Sequence, residues 1–156
     1  MSEISLGILG GGQLGSMLSV AAKKLDIKTI VFSDDQDAPA KKFCNEFIFA
    51  QYENKTQIYD FVKKVDFITY EFENIPYETL NEMNKLKTVN PKPSINRLIQ
   101  HRLAEKDFVN KLNIRTTRYA HVENKSDLEL LEDFLPGILK TTTMGYDGKG
   151  QFPIQN

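Results

Sequence analysis

Ile4-Ser5-Leu6-Gly7-Ile8-Leu9-Gly10-Gly11-Gly12-Gln13-Leu14-Gly15 decides how this chain folds. The apolar run from Ile4 to Leu9 reads as a short strand that passes directly into glycines. From Gln13 to Leu25, the residues Leu14, Met17, Leu18, Ala21, Ala22 and Leu25 recur at helical spacing. Gly10, Gly12 and Gly15 keep the G-x-G-x-x-G spacing between that strand and that helix. Such a turn allows close backbone approach and points a helix N-terminus at an anion. Two readings stay open. The glycines seat a phosphate or phosphoribosyl group, or they only let the first helix pack on a sheet. Asp34, just past the next strand, opens a third, because it can bind a ribose hydroxyl as in a dinucleotide site.

Outward from this unit, strands and helices alternate. Strands are expected at Ile27 to Phe32, Glu46 to Ala50 and Val65 to Tyr70, with a short one at Lys87 to Asn90. Helices are expected at Lys55 to Lys64, with Ile58, Phe61 and Val62 on one side, and at Tyr77 to Leu86. This alternation predicts an α/β fold with a doubly wound parallel sheet and right-handed crossovers, Rossmann-like in plan. Pro91-Lys92-Pro93-Ser94 breaks the rhythm, which places a domain boundary there and divides the chain into 1–93 and 94–156. Beyond it a helix is expected from Asn96 to Leu112, a strand from Arg115 to Val122, and a helix starting at Asn124 and running through Leu128 to Leu135. Ile138 to Thr143 and Gln151 to Ile154 read as a strand and its return. The second segment has too few elements to close a core and reads as the incomplete start of another domain.

The 156 residues are 40% hydrophobic and carry a formal net charge of −1, so bulk electrostatics draw the chain to neither nucleic acid nor an anionic membrane. No apolar run approaches the ~20 residues of a membrane span, and Met1 to Ile4 lack the pattern of a signal peptide. A lone cysteine, Cys44, excludes an internal disulfide, fits a reducing cytoplasmic setting, and reads as a small buried hydrophobe.

A second glycine-punctuated stretch, Thr141-Thr142-Thr143-Met144-Gly145-Tyr146-Asp147-Gly148-Lys149-Gly150-Gln151, follows Lys140. Backbone N–H groups and lysine charge can hold a polyphosphate there. Asp147-Gly148 is also a hairpin-turn signal, so a plain connector is the competing reading. Glu71 and Glu73 flank Phe72 at a strand end. They point the same way if the strand persists, and they either grip sugar hydroxyls or an amine or belong to a solvated acidic loop. Arg102 and Lys106 share a helix face that can reach phosphates or simply be solvated. His101 and His121 show no partner pattern for a metal or a triad.

Taken in order, Gly10 to Gly15, Thr69-Tyr70-Glu71-Phe72-Glu73-Asn74, His101-Arg102-Leu103-Ala104-Glu105-Lys106 and Leu139-Lys140 through Gln151 resemble the N-terminal part of the 5-(carboxyamino)imidazole ribonucleotide synthetases. These are the ATPase subunits of phosphoribosylaminoimidazole carboxylase, in the ATP-grasp superfamily. The resemblance implies a pre-ATP-grasp domain followed by the start of an ATP-grasp domain. It implies a ligase of purine synthesis in which ATP phosphorylates bicarbonate to carboxyphosphate, and the amine of aminoimidazole ribonucleotide captures the carboxyl group. Residue by residue, it implies ATP contacts from Arg102, Lys140 and the loop Gly145, Tyr146, Asp147, Gly148, Lys149, Gly150 and Gln151, with Lys149 and Asp147 catalytic. Gly12, Gln13, Glu73 and Tyr146 would seat the ribonucleotide. The full-length family is implied to be a homodimer that uses magnesium.

Two departures stand out. Met144 replaces a family glycine, and methionine tolerates positive φ poorly, so the loop hinge is expected to be stiffer or differently aimed. The family's chain is also longer. Its later part carries the adenine pocket, the acidic magnesium ligands and substrate-binding lysines or arginines, so no metal ligand is expected in this chain, which reads as a fragment with little turnover. Two rivals keep their place: an NAD-dependent dinucleotide-binding domain resting on Gly10, Gly12, Gly15 and Asp34, and a non-catalytic module that self-associates around Ile138, Leu139, Phe152 and Ile154.

Overall fold

Four short apolar segments build one parallel sheet because each is followed by a helix or turn that returns the chain to the same edge. The computed structural model describes residues 4–145 and 148–155. The chain divides into two compact units, Met1–Arg97 and Leu98–Asn156.

In the first unit the order is β1 (Ser5–Leu9), α1 (Gln13–Lys23), β2 (Lys28–Ser33), a 3-10 turn (Pro39–Lys42), β3 (Glu46–Phe49), α2 (Lys55–Lys63), β4 (Phe67–Tyr70), α3 (Tyr77–Leu86) and α4 (Pro93–Ile99), whose end crosses the division. The sheet runs β3-β2-β1-β4, all parallel, with Leu9 abreast of Phe32 on one side and Tyr70 on the other. Strand order reverses between β1 and β4, which is where an open α/β sheet opens its crevice. Leu9, Ile30, Phe32 and Ile68 face one way and pack with Phe61 of α2 and with Leu80 and Met83 of α3. Ile8 and Val31 face the other way and pack with Ala40. Cys44, half-buried rather than fully enclosed, leans on that second cluster, and burial pushes its thiol up.

Of the residues whose spacing marks α1, Ala22 alone is buried. Gly15, Ser16, Ser19 and Ala22 face inward, whereas Leu14, Met17 and Leu18 are exposed. A Cβ on Gly15 would lie 2.5 Å from the Gly10 carbonyl oxygen, so the helix sits against the turn at a distance only glycine allows.

The expected strand at Lys87 to Asn90 is a single bridge, Val89 to Ile68. Lys87 still caps α3, and Pro91 has no N–H to extend the ladder.

The second unit contains α5 (Arg102–Lys111), α6 (Lys125–Glu129), a 3-10 turn (Glu132–Phe134), β5 (Gly137–Lys140) and β6 (Gln151–Ile154). The continuous helix expected from Asn96 to Leu112 is broken. His101 leaves helical geometry, and its Nδ1 accepts the Ala104 N–H at 3.3 Å, starting α5 afresh. No strand forms at Arg115 to Val122. That segment is tied to α5 by side chains instead: Asn110 Nδ2 donates to Thr116 Oγ1 at 3.0 Å, and the Tyr119 hydroxyl donates to Asp107 at 2.5 Å. The helix expected through Leu135 ends at Glu129. Its start is secured by Asn124 Oδ1, which accepts the Ser126 N–H, and by Asp127 Oδ2, which accepts the Glu123 and Asn124 N–H groups. Those two N–H groups hold the Asp127 carboxyl below its usual range.

Candidate functional sites

The glycine turn of the first unit is fixed by its neighbours. The Gly10 N–H donates to Phe32 O at 2.9 Å, and Gly10 takes φ 102°, open to glycine but strained for other residues. Gly11 touches Ala38 so closely that a Cβ would sit 2.5 Å from the alanine Cβ, and its carbonyl accepts the Ala40 N–H. Gly12 is the N-cap of α1 and has no side chain to cap it. From the adjacent strand end Glu71 accepts the N–H of Gly12 itself, with Oε1 2.9 Å from the Gly12 nitrogen.

This differs from the open anion cradle that the spacing predicts. An internal carboxylate takes the Gly12 N–H, and a pyrophosphate on this turn, which the dinucleotide reading requires, meets that carboxylate. Asp34 is exposed just beyond β2. Beside the turn, Tyr52 is buried and stacks on Phe72 with ring centroids 6.2 Å apart. Burial drives its hydroxyl far above the ordinary tyrosine range, and the charges of Asp34 and Glu71 add to the shift.

The two glutamates expected to act as a pair part company. β4 ends at Tyr70, so period-2 alternation does not carry to Glu73. Glu71 turns into the glycine loop, and Glu73 is exposed in the turn before α3. Gln13, the first residue of α1, is exposed beside half-buried Gly12.

In the second unit, β5 and β6 form an antiparallel ladder that ends at the Lys140–Gln151 pair, and residues 141–150 connect them. The Thr141 N–H donates to Gly150 O at 2.9 Å and closes the base. The Thr141 side chain lies where Cβ atoms on Gly145 and Gly150 would fall, at 3.0 and 2.4 Å from its Oγ1. Met144 (φ 58°), Gly148 (φ 80°) and Gly150 (φ 65°) all take positive φ. Lys140, Thr143, Met144 and Lys149 are exposed. A two-residue hairpin turn does not describe this connection. Tyr146 and Asp147 lie outside the described residues.

Arg102 begins α5, and its N–H donates to Thr142 O at 2.8 Å, tying the helix start to the loop. Lys106 is engaged elsewhere, 3.3 Å from Thr117 O and 5.0 Å from the centre of the Tyr119 ring. Among the described residues no group of three or more His, Cys, Asp or Glu side chains is gathered to hold a metal ion. No helix among them is long and apolar enough to cross a membrane.

Residues 1–100 match the ribonucleotide synthetase preATP-grasp domain. The chain belongs to this family. The parallel sheet wrapped by helices on both faces is the α/β architecture of such a preATP-grasp domain. The N5-carboxyaminoimidazole ribonucleotide synthase of Staphylococcus haemolyticus is 36% identical over 97% of the chain and 41% of its own length. The bifunctional purine synthesis protein purC/E of Dictyostelium discoideum is 41% identical over 96% of the chain and 15% of its own length. Among solved structures, the N5-carboxyaminoimidazole synthetase of Staphylococcus aureus complexed with ADP superposes with a TM-score of 0.91 at 34% identity, covering 98% of this chain and 42% of that one. The N5-carboxyaminoimidazole synthase of Aspergillus clavatus in complex with ADP and 5-aminoimidazole ribonucleotide gives 0.83 at 26% identity, covering 99% and 41%. This member of the preATP-grasp family thus spans at most about two fifths of the length of these relatives.

Glu71 is the residue that sequence reasoning placed beside the wrong partner. Its signal lies in the chain: a carboxylate one residue past a strand that flanks the glycine-bearing strand. His101 as a helix cap went unread because caps are usually Ser, Thr, Asp or Asn.

Proposed function

We propose that this chain is the N-terminal part of an ATP-dependent carbon–nitrogen ligase of purine synthesis, which carboxylates 5-aminoimidazole ribonucleotide with bicarbonate through carboxyphosphate. The observation that carries this reading is the likeness over 98% of the chain to a synthetase complexed with ADP. Residues 1–93 serve as the pre-ATP-grasp, ribonucleotide-binding domain, and 94–156 as the start of the ATP-grasp domain. Gly12, Gln13, Glu73 and Tyr146 contact the ribonucleotide. Arg102, Lys140 and Gly145 to Gln151 contact ATP, with Lys149 and Asp147 at the transferring phosphoryl group. Support for the second set comes from exposed Lys140 and Lys149 at a wide loop rich in positive φ, because such a loop can turn N–H groups and ammonium charge toward phosphate oxygens. Catalysis in this class is positioning and charge neutralisation around an in-line transfer. Magnesium enters with the nucleotide, and its carboxylate ligands belong to the later part of the family's longer chains. The setting is cytoplasmic.

We further propose that the full-length protein pairs as a homodimer, as the likeness to its family implies.

Isothermal titration tests the ligands. Aminoimidazole ribonucleotide should bind, and magnesium-ATP should bind this chain alone only in the millimolar range. Tight NADH binding would sink the reading, and strong bicarbonate-dependent ATP hydrolysis by the 156 residues alone would refute the division of labour.

A further inference from the structure

One oxygen sits at the centre of the first glycine turn. Glu71 Oε1 accepts the Gly12 N–H at 2.9 Å. A Cβ on Gly10 would come within 2.7 Å of that oxygen, one on Gly12 within 3.1 Å and one on Gly15 within 3.5 Å. The three glycines of the spacing therefore surround an anion that the protein itself provides. Glu71 is held there by its own backbone, whose N–H donates to Leu9 O at 3.0 Å and so continues the ladder one step past β4. Its carboxylate answers both the orphan N–H of Gly12 and the positive end of α1.

A phosphate brought to this turn meets a fixed like charge at contact distance, in a part-buried setting that salt screens weakly. We propose that Glu71 is a positioning and specificity residue that fills the anion seat of the turn. The Gly12–Gln13 edge then receives the uncharged part of a phosphoribosyl ligand, its hydroxyls or amine, and the phosphate is held elsewhere. This rests on the reading of the first unit as a ribonucleotide site.

Amide chemical shifts of the isotope-labelled full chain test it, with inorganic pyrophosphate, aminoimidazole ribonucleotide and the matching nucleoside as probes. Pyrophosphate should leave the Gly10 to Gly15 amides of the native protein unmoved. In Glu71→Gln, which keeps an acceptor for Gly12 but loses the charge, it should shift the Gly12 amide with affinity at least about tenfold tighter. Glu71→Asp, which keeps the charge on a shorter arm, should behave like the native protein. Equal pyrophosphate shifts in native and Gln proteins, none in the Gln protein, or Asp matching Gln would each overturn the proposal. Should Glu71→Gln fail to fold, the native protein decides. The nucleoside must then shift Gly12 and Gln13 as the ribonucleotide does, and a shift that needs the phosphate overturns the idea. A ribonucleotide that moves no amide of the first unit sinks the ligand reading alone, because the pyrophosphate contrast stands without it.

Discussion

The two glycine-bearing segments look alike on paper and differ in physical state. The first is packed: Gly10, Gly11 and Gly15 are buried, a carboxylate answers the Gly12 N–H, and every added Cβ meets protein. The second is mixed: its base is closed at Thr141 and Gly150, Cβ atoms on Gly145 and Gly150 would meet the Thr141 side chain, but one on Gly148 would meet nothing within 4 Å, and Lys140 and Lys149 are exposed. Glycine therefore serves close approach throughout the first segment, whereas in the second it serves close approach to Thr141 at Gly145 and Gly150 and backbone freedom at Gly148.

Enlarging a glycine separates the two most sharply. Gly15→Val should cost the first unit about 1–3 kcal/mol in urea unfolding, because the new Cβ must push a backbone oxygen aside. Gly148→Ala has space and pays only for its φ of 80°, so its cost should be about 1 kcal/mol. Comparable losses at both positions would erase the contrast.

Charge removal should sort the segments the other way. Lys140→Ala and Lys149→Ala should each weaken magnesium-ATP binding about tenfold, as expected for one charge-assisted contact. Both side chains are exposed, so stability should stay within about 0.5 kcal/mol. Unchanged titrations would return the loop to a plain connector.

Met144→Gly is a smaller test. The methionine sits at φ 58°, where a side chain costs about 1–2 kcal/mol and glycine almost nothing. After the entropy lost by glycine, a net gain of about 0.5–1 kcal/mol is expected in thermal unfolding of the second unit.

The smallest expected effect is acid sensitivity in the first unit. Asp66 accepts the Ser5 N–H and hydroxyl, and these two bonds hold its carboxyl below the ordinary aspartate range. A lowered folded value means the stabilisation is complete above about pH 4 and fades as pH falls through the folded value. Asp66→Asn should flatten that part of the unfolding profile.

Most of the first unit was legible because periodicity and burial agree there. β1, β2, α2 and α3 fall within a residue or two of their expected places. The inner face of α1 was not legible, because small residues bury there and the large apolar ones that reveal the helix stay outside. The second unit was harder. Arg115 to Val122 has strand-like composition, but its side-chain bonds to α5 replace a ladder, and composition does not register such partners. Within the candidate sites, residue types and spacing located the two glycine-bearing turns, each of which takes positive φ. The pairing of Glu71 with Gly12 depends on which strand lies beside β1, a fact of topology rather than of local pattern.

β3 has a consequence of its own. It closes one side of the sheet, with no further strand beyond it among the described residues. A bare strand border is where a chain can be templated into aggregates. Here the border is four residues long, and its first residue, Glu46, is ion-paired with Lys64. Replacing those two charges with apolar residues should leave the fold of the first unit unchanged yet shorten the protein's shelf life in concentrated solution.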